Sequence, residues 1–230
     1  MKIDLVIPTR DRLQKLLNCL GSIQQAKELV KDEVWTYVYY SDEAHFEIDK
    51  LGYGDNLWIF PRLLTKPYRA STFWNDHLKD STADMMFYLN DDVVLEINCI
   101  KNGIEAMREH FPDTDGVIGL RQENIPIADA CQGAFGIIGK KYTERFPDKQ
   151  VFCPQYERFY LDREVELYAK SINKFYYAKE AMLKHLHPAY NREWEDMTHF
   201  SVRKYLHQDK QNYILRQTKQ LLWGKSFETV

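Results

Sequence analysis

The sequence predicts an α/β protein with a mainly parallel sheet flanked by helices. Short apolar or β-branched runs alternate with amphipathic helical segments over the first 120 residues. This alternation is typical of parallel β–α–β units, in which helices cover both faces of the sheet. The second half is less regular and ends in a long, charged, helix-rich segment. A chain of 230 residues suits one large domain, or one domain with a helical extension.

Each element follows from a local pattern. Apolar, β-branched and aromatic runs of strand length predict five strands in the first half, at residues 3–7, 34–40, 57–60, 85–89 and 116–120. Apolar residues at helical spacing predict helices between them, at residues 13–23, 68–79 and 97–110. The same rules predict, further on, a strand at 131–138, helices at 140–146 and 160–172, a short strand at 175–177 and helical structure over 194–223.

Composition and charge exclude several classes of protein. The net charge is −3 and the pI is about 6.2, so no global basic field indicates nucleic-acid binding. Four scattered cysteines without a CxxC pair indicate neither a zinc site nor a disulfide framework. The opening apolar run is too short for a signal peptide, and no run approaches the roughly 18 apolar residues of a membrane span. A cytoplasmic protein without a transmembrane segment is expected.

Polar residues follow three of the predicted strands. Carboxyl ends of parallel strands meet at one edge of a sheet, where ligands bind. One such group alone would be explained by helix capping or turn formation, but three groups on one edge favour a binding site. The groups are Thr9, Arg10, Asp11 and Arg12 after the first strand, Ser41, Asp42 and Glu43 after the second, and Asn90, Asp91 and Asp92 after the fourth.

The residue types at this edge suggest a hard cation and phosphates. Carboxylates fixed at a strand end suit Mg²⁺ or Mn²⁺, which bind through one or two carboxylates together with substrate phosphates. Arg10 and Arg12 add positive charge for a diphosphate. The sequence contains neither GxxxxGK[ST] nor GxGxxG, so neither a P-loop nor a dinucleotide-binding turn accounts for phosphate binding.

Three stretches resemble one enzyme family in order and spacing. LVIPTRDRLQKLLNCLGSI, YYSDEA and WNDHLKDSTADMMFYLNDDVVL are similar to the opening, the second strand and the Asp-x-Asp region of inverting GT-A nucleotide-sugar glycosyltransferases of the family-2-like group. The resemblance covers about residues 1–190. It implies a GT-A domain with a nucleotide-binding half at about 1–96 and an acceptor half at about 97–190, followed by a helical extension at 191–230. It also implies a metal-dependent, inverting transfer of sugar from a nucleotide-diphosphate donor to an acceptor hydroxyl.

The resemblance assigns the nucleotide-binding residues. Pro8 and Thr9 would shape the nucleotide cleft, and Arg12 would lie near the diphosphate. Asp42 would contact the base, for which uracil, and therefore a UDP-sugar donor, is the leading expectation. Asn75, on the helix before the fourth strand, is expected to reach the nucleotide-sugar.

The same resemblance assigns the metal ligands. Asn90 falls at the first acid of the Asp-x-Asp motif and Asp92 at the second, so Asp92 is the first choice of ligand for Mn²⁺ or Mg²⁺, with Asp91 as its substitute. Asn90 departs from the usual acid. His185 and His187 fall where the family places a histidine that completes the metal shell. The alternative is an ordinary structural histidine.

The catalytic base is expected within LDREVELYAK. One register places Glu164 at the position of the base, and a short slip places Asp162 there. Either carboxylate could deprotonate an acceptor hydroxyl. The alternative is a solvated helix face with ion pairs.

Two other functions remain open at this stage. A sugar-nucleotide nucleotidyltransferase shares the fold type, although that class usually carries a glycine-rich loop and PTRDR contains no glycine. A non-catalytic nucleotide- or sugar-binding module would explain the departure at Asn90. The oligomeric state is also open, and the acceptor could be a glycan, a lipid-linked molecule, a protein, a small molecule or a modified DNA base.

Overall fold

One mixed sheet carries the fold. The computed structural model describes residues 1–10, 12–40, 57–61, 69–126, 130–187 and 197–225, with the backbone alone at 57–61, 70 and 197–202. The described strands form an eight-stranded sheet in the order β3-β2-β1-β4-β7-β6-β8-β5. They are β1 Lys2–Thr9, β2 Glu33–Tyr40, β3 Leu57–Pro61, β4 Met85–Tyr88, β5 Val93–Leu95, β6 Val117–Gln122, β7 Gly136–Gly139 and β8 Phe175–His185.

Helices occupy the connections. They are α1 Leu13–Lys27, α2 Ala70–Asp80, α3 Cys99–His110, α4 Lys140–Thr143, α5 Leu161–Ser171 and α6 Met197–Thr218. Apolar residues of α1 and α3 pack on one face of the sheet, and those of α2 and α5 pack on the other. No helix of the described residues is long and apolar enough to cross a membrane.

Alternation along β1 and β4 sends side chains to both faces. Ile3 and Phe87 join the core under α1 and α3, whereas Val6 and Tyr88 join the core under α2 and α5. Strands buried on both faces are characteristic of parallel α/β sheets. The predicted α/β class with a flanked sheet is confirmed, and β1, β2, β3 and β4 pair in parallel as predicted.

The structure differs from the sequence prediction in three strands. Residues 131–135, predicted as part of a strand, form turns, and the strand itself spans Gly136–Gly139. The predicted short strand at 175–177 extends to His185, because β8 pairs with β6 and then with β5. The three-residue strand β5 was not predicted at all. Three of the seven pairings between described strands are antiparallel, and each of the three involves β7 or β8.

Strand register brings the predicted site residues to one edge. Thr9 at the end of β1 lies opposite Tyr40 at the end of β2, and Val6 lies opposite Tyr88 at the end of β4. The backbone N–H of Leu89 donates to the carbonyl of Val6 at 3.1 Å, which extends this pairing past the strand end. The turn at residues 91–92 therefore follows directly beside the end of β1.

A buried polar chain lies on the α2 side of β1. Asp4 is 2% exposed, and its Oδ2 lies 2.8 Å from Nε2 of His77 and accepts from the Ser81 hydroxyl at 2.6 Å. Nδ1 of His77 lies 2.7 Å from the Tyr39 hydroxyl. Buried polar groups are paired in this way because an unpaired one would carry a desolvation penalty. These hydrogen bonds tie α2 to β1 and β2.

We predict opposite stability changes for two glycine-to-alanine substitutions. A Cβ on Gly136 would lie 2.4 Å from the carbonyl oxygen of Ile118 and 2.6 Å from the Tyr88 hydroxyl, whereas a Cβ on Gly21 in α1 would meet nothing within 4 Å. Gly136→Ala should lower the free energy of unfolding by about 1–3 kcal/mol through overpacking. Gly21→Ala should raise it by roughly 0.5–1 kcal/mol through helix propensity. Urea denaturation of both variants measures this, and equal effects would contradict the packing around β7.

Candidate active site

A buried guanidinium joins the two adjacent carboxylates that follow β4. Nη1 of Arg12 donates to Oδ1 of Asp91 and to Oδ2 of Asp92, both at 2.9 Å. The Thr9 hydroxyl donates to Oδ2 of Asp91 at 2.7 Å. All four side chains are buried. The repulsion that two neighbouring carboxylates would suffer is thus offset by one positive charge held between them.

The start of α1 and the turn after β4 fix the geometry of the contact between Arg12 and the two carboxylates. Arg12 is the residue before α1, and its carbonyl accepts the first helical hydrogen bond from Leu16 at 2.9 Å. Asp91 and Asp92 occupy the turn between β4 and β5. The Asp92 carbonyl accepts from the backbone N–H of Leu186 at 2.8 Å, just after β8. Three elements remote in sequence therefore meet at this carboxylate pair.

The two carboxylates differ in acidity. Burial raises the pKa of Asp91, and the neighbouring charge of Asp92 adds to the rise, although Arg12 and Thr9 oppose it. Burial alone would also raise the pKa of Asp92. The contact with His185 and the positive charges of Arg12 and Arg158 outweigh it and hold the pKa of Asp92 well below its ordinary value. Asp92 is therefore the firmly ionised member of the pair.

His185 faces Asp92 from the end of β8. Its Nε2 lies 3.5 Å from Oδ1 of Asp92, and its Nδ1 lies 3.0 Å from Oε1 of Gln122. The amide nitrogen of Gln122 reaches the Cys131 carbonyl at 3.4 Å, which turns its oxygen toward the imidazole. Since that oxygen can only accept, Nδ1 of His185 carries the proton of this contact. Nε2 is then the ring nitrogen that faces Asp92.

Asp92 and His185 fit a divalent cation as a pair. The described residues contain no group of three or more His, Cys, Asp or Glu side chains arranged to hold a metal. Mg²⁺ and Mn²⁺ nevertheless bind through few protein ligands, and substrate phosphates and water supply the others. The separation of 3.5 Å is close to the roughly 3 Å between adjacent ligands of such an ion. A ligating histidine also typically donates its other N–H to an oxygen, as His185 does to Gln122.

His187 lies beside His185. The centroids of the two imidazole rings are 5.3 Å apart, inclined at 53°. The backbone of this segment is anchored through Asn124, whose side chain accepts from the N–H of His185 at 3.1 Å and donates to its carbonyl at 2.9 Å. Both predicted histidines are therefore brought to the edge that carries Asp92.

Glu164, one of the two predicted bases, is engaged in a buried ion pair. Its carboxylate accepts from Nε and Nη2 of Arg216 at 2.7 and 2.9 Å. The same carboxylate accepts from the Tyr156 hydroxyl at 2.8 Å and from the backbone N–H of Trp223 at 3.1 Å. Glu164 is 1% exposed. Four donors therefore fix this side chain toward the C-terminal residues, which leaves little freedom for proton transfer.

Asp162, the other predicted base, lies two residues earlier and is partly exposed. Burial raises its pKa, and the charge of Glu166 adds to the rise, against the lowering contributed by backbone N–H groups and by Cys131. A carboxylate whose pKa is shifted toward neutrality and which keeps access to solvent is suited to accept a proton. Of the two carboxylates, Asp162 therefore keeps access to solvent, whereas Glu164 is buried in an ion pair.

The turn at residues 131–135 connects Asp162 with the histidine side of the site. A Cβ on Gly133 would lie 2.8 Å from Cβ of Glu166 and 3.2 Å from the carbonyl oxygen of Asp162, so glycine permits this close approach to α5. The Tyr88 hydroxyl donates to the Gly133 carbonyl at 2.8 Å. The ring of Phe135 packs edge-on against His185, with centroids 4.9 Å apart. One short turn thus contacts the first turn of α5, the end of β4 and the end of β8.

The other predicted nucleotide-binding residues have varied surroundings. Asn75 exchanges two hydrogen bonds with the backbone of Phe152, at 2.7 and 2.9 Å, and is buried. These contacts give Asn75 a structural role between α2 and residue 152. Pro8 lies in β1 opposite Tyr39, and the carbonyl of Asn90 accepts from Sγ of Cys19 at 3.7 Å. Asp42 lies outside the described residues.

Sequence reasoning did not single out Arg158. Burial lowers the pKa of Arg158, and the positive charge of Arg12 adds to the fall, against the raising effect of Asp91 and Asp92. The charge of Arg158 in turn helps to lower the pKa of Asp92. Arg158 precedes α5 in a segment without a periodic pattern. Its proximity to Asp162 in sequence was the only available signal.

We predict that the two candidate bases respond differently to neutralisation. Glu164→Gln leaves Arg216 buried without its counter-charge, so it should lower the free energy of unfolding by about 3–5 kcal/mol. The raised pKa of Asp162 means that its ionised form is less favourable in the folded than in the unfolded state at neutral pH. Asp162→Asn should therefore leave the melting temperature unchanged or higher. Calorimetry at pH 7 checks both, and an equally large loss for Asp162→Asn would contradict this distinction.

Comparison with known proteins supports the fold. No protein-family model matches the sequence, and no curated protein matches it. TarS 1-349 from S. aureus, in complex with UDP-GlcNAc, superposes with a TM-score of 0.62 at 16% identity over 86% of this chain and 61% of that chain. The mannosyltransferase PcManGT from Pyrobaculum calidifontis, in complex with GDP-Man and Mn²⁺, superposes with a TM-score of 0.62 at 10% identity over 83% of this chain and 58% of that chain.

These similarities concern one part of each neighbour. The chain spans about three fifths of the length of the TarS 1-349 and PcManGT chains, at identities that speak for architecture alone. The overall fold of this chain is therefore shared with proteins solved in complex with nucleotide-sugars.

Proposed function

We propose that the protein transfers a sugar from a nucleotide-diphosphate donor to an acceptor hydroxyl, with inversion at the anomeric carbon. The observation that carries this proposal is the carboxylate pair braced by Arg12 at the edge of the sheet, with His185 facing Asp92. Asp162 supplies a partly exposed carboxylate of raised pKa on the neighbouring helix. Together they provide a site for a charged leaving group and a site for a proton acceptor.

Positive charge near the carboxylates favours a diphosphate. Arg10, Arg12 and Arg158 are close enough to shift one another's or the aspartates' ionisation. Guanidinium groups suit phosphate oxygens because they donate two parallel hydrogen bonds. TarS was solved with UDP and UDP-GlcNAc and PcManGT with GDP-Man, so nucleoside diphosphates are the first ligands to test. A UDP-sugar is our leading candidate for the donor.

Asp92 and His185 are the residues that would hold Mn²⁺ or Mg²⁺, with His187 beside them. The ion, when bound, would neutralise charge on the departing diphosphate. Gln122 keeps the imidazole oriented, and Arg12 keeps the Asp92 side chain in place by occupying its other oxygen. Asn90 stands where relatives of this fold usually carry an acid, so the protein's contribution to the ion rests on one carboxylate.

Asp162 is the proposed general base. It would take the proton from the acceptor hydroxyl while that oxygen attacks the anomeric carbon and the bond to the diphosphate breaks. The attack comes from the face opposite the leaving group, which inverts the configuration. The raised pKa of Asp162 brings it nearer to neutrality, where a carboxylate is a stronger proton acceptor.

We predict metal-dependent nucleotide binding. We would measure the melting temperature with UDP, GDP, CDP and ADP, each with and without Mn²⁺. One of the four nucleotides should raise the melting temperature more than the others, and the rise should be larger when Mn²⁺ is present. A ligand present at a hundred times its dissociation constant stabilises the folded protein by about 2.7 kcal/mol. Asp92→Asn should lose the Mn²⁺-dependent part of the shift. Asp113→Asn, a half-exposed carboxylate paired with Lys141 on the surface, is the matched control and should keep it.

A flat response of the wild type to all four nucleotides would contradict the proposed function. If Asp92→Asn kept the full Mn²⁺-dependent shift of the melting temperature, the assignment of Asp92 as a metal ligand would be contradicted.

We predict that turnover depends on the ionised form of Asp162. Donor hydrolysis, with water as acceptor, should release nucleoside diphosphate, and Asp162→Asn should lower its rate by about 100-fold or more. The wild-type rate should fall on acidification through a pKa above the roughly 3.9 of an ordinary aspartate, because burial raises the pKa of Asp162. The exposed substitution Glu105→Gln on α3 serves as the control.

The products separate this function from its alternatives. Release of pyrophosphate from a nucleoside triphosphate would indicate a nucleotidyltransferase. Nucleotide binding without release of nucleoside diphosphate from the donor would indicate a binding module, and a hydrolysis rate that Asp162→Asn leaves unchanged would contradict the role of Asp162 as the base.

A further inference from the structure

The segment before α5 carries both Arg158 and the first turn with Asp162. Tyr160, which caps α5, has a backbone φ of 69°, in the left-handed region that a bulky side chain rarely adopts. Such a conformation persists only when surrounding contacts impose it. Those contacts come from the C-terminal helix α6.

Asp209 on α6 binds the backbone of this segment. Its Oδ1 accepts from the N–H of Glu157 at 2.9 Å, and its Oδ2 accepts from the N–H groups of Arg158 and Phe159, each at 2.8 Å. Asp209 is 1% exposed. Three successive N–H groups that converge on one buried carboxylate fix the path of the backbone on both sides of Arg158.

Arg216 binds the same segment two helical turns later. Besides its paired contact with Glu164, it donates from Nη1 to the side-chain oxygen of Gln155 at 2.7 Å. Arg216 is 5% exposed. Asp209 therefore holds the residues before Tyr160, and Arg216 holds those on both sides of it.

These residues share one face of α6. The side chains of Asp209, Asn212, Tyr213 and Arg216 follow the spacing i, i+3, i+4 and i+7, which aligns them on one side of a helix. Asn212 donates to the Gln155 carbonyl at 2.9 Å. The ring of Tyr213 stacks on that of Tyr160, with centroids 4.7 Å apart and planes inclined by 16°. We call these four residues the α6 polar face.

We propose that the α6 polar face is a positioning element of the active site and that Asp209 is its main positioning residue for Arg158. The inference rests on the proposed function. It extends the active site to α6, a helix that by its sequence would be exposed to solvent. Asp209 holds the backbone of Arg158, whose positive charge acts on the Asp91–Asp92 pair. The stack on Tyr160 and the Arg216–Glu164 pair hold the helix start that presents Asp162.

The test compares the affinity for UDP in the presence of Mn²⁺ by calorimetric titration, or for GDP if the nucleotide screen prefers it. In the full-length chain, Asp209→Ala and Arg158→Gln should each weaken binding about tenfold or more, the scale of a lost charge-assisted contact. The double variant should bind no more weakly than Arg158→Gln alone, because Asp209 acts through Arg158. Titration stoichiometry reports the folded fraction, so a loss of stability is separated from a change in affinity.

Two further variants keep the test decisive. Lys210→Gln changes the charge of the exposed neighbour of Asp209 and should bind as the wild type does. Asp209→Asn keeps one acceptor oxygen and should weaken binding in the same direction, by less than Asp209→Ala, and it decides the question if the alanine variant does not fold.

The outcomes distinguish the two levels of inference. Wild-type affinity in the folded Asp209 variants would overturn the role of α6, as would a double variant whose losses add fully. A wild type that binds no nucleoside diphosphate with Mn²⁺ would overturn the proposed function itself.

Discussion

The site is organised around one guanidinium held between two carboxylates. Arg12, Asp91 and Asp92 are all buried, and each had to lose its water shell to be there. A buried ion pair of this kind adds little net stability, since apolar side chains would fill the same space at lower cost. The arrangement is better explained by what it fixes, which is an ionised Asp92 with one oxygen on Arg12 and the other turned toward His185.

Burial has opposite consequences for the two acids at the start of α5. Glu164 lies in a cage of four donors, where its charge is compensated and its position is fixed. Asp162, two residues earlier, is partly buried without an equivalent cation, and its pKa rises as a result. A compensated buried charge holds structure, whereas an uncompensated one with access to solvent can exchange a proton. The difference between the two comes from Arg216, a residue more than fifty positions later in the chain.

The parts of this site that sequence could predict follow from local rules. Strand–helix alternation gives parallel strands, and the ends of parallel strands meet, so Thr9, Arg12, Asp91 and Asp92 were expected on one edge and are found in contact. The structure also corrects one expectation drawn from the pattern. Residues 131–135 have a strand-like composition, but the N–H and C=O of Gly133 bond to the side chains of Glu166 and Tyr88, and the pairing with β6 begins at the carbonyl of Phe135, which accepts from the N–H of Leu120.

Long-range partners were beyond the reach of sequence. Gln122 orients His185 across 63 positions, and Asp209 binds the backbone N–H of Arg158 across 51 positions. Neither contact leaves a periodic trace, since each depends on how β6, β8 and α6 pack. The length of β8 was underestimated for the same reason: its alternation is masked by charged residues, and pairing with both β6 and β5 determines where it ends.

The C-terminal helix shows why an amphipathic pattern can be missed. Helices usually dock through apolar stripes, and a search for such a stripe finds none in α6, whose inward positions include Asp209 and Arg216. Those residues face backbone N–H groups and a carboxylate, so the surface they cover is polar and a polar face is its proper complement. A helix whose side chains bind the backbone of a neighbouring loop therefore has the sequence pattern of a solvated helix. The buried face of such a helix becomes evident only when the backbone N–H groups that it accepts, here those of residues 157–159, are identified.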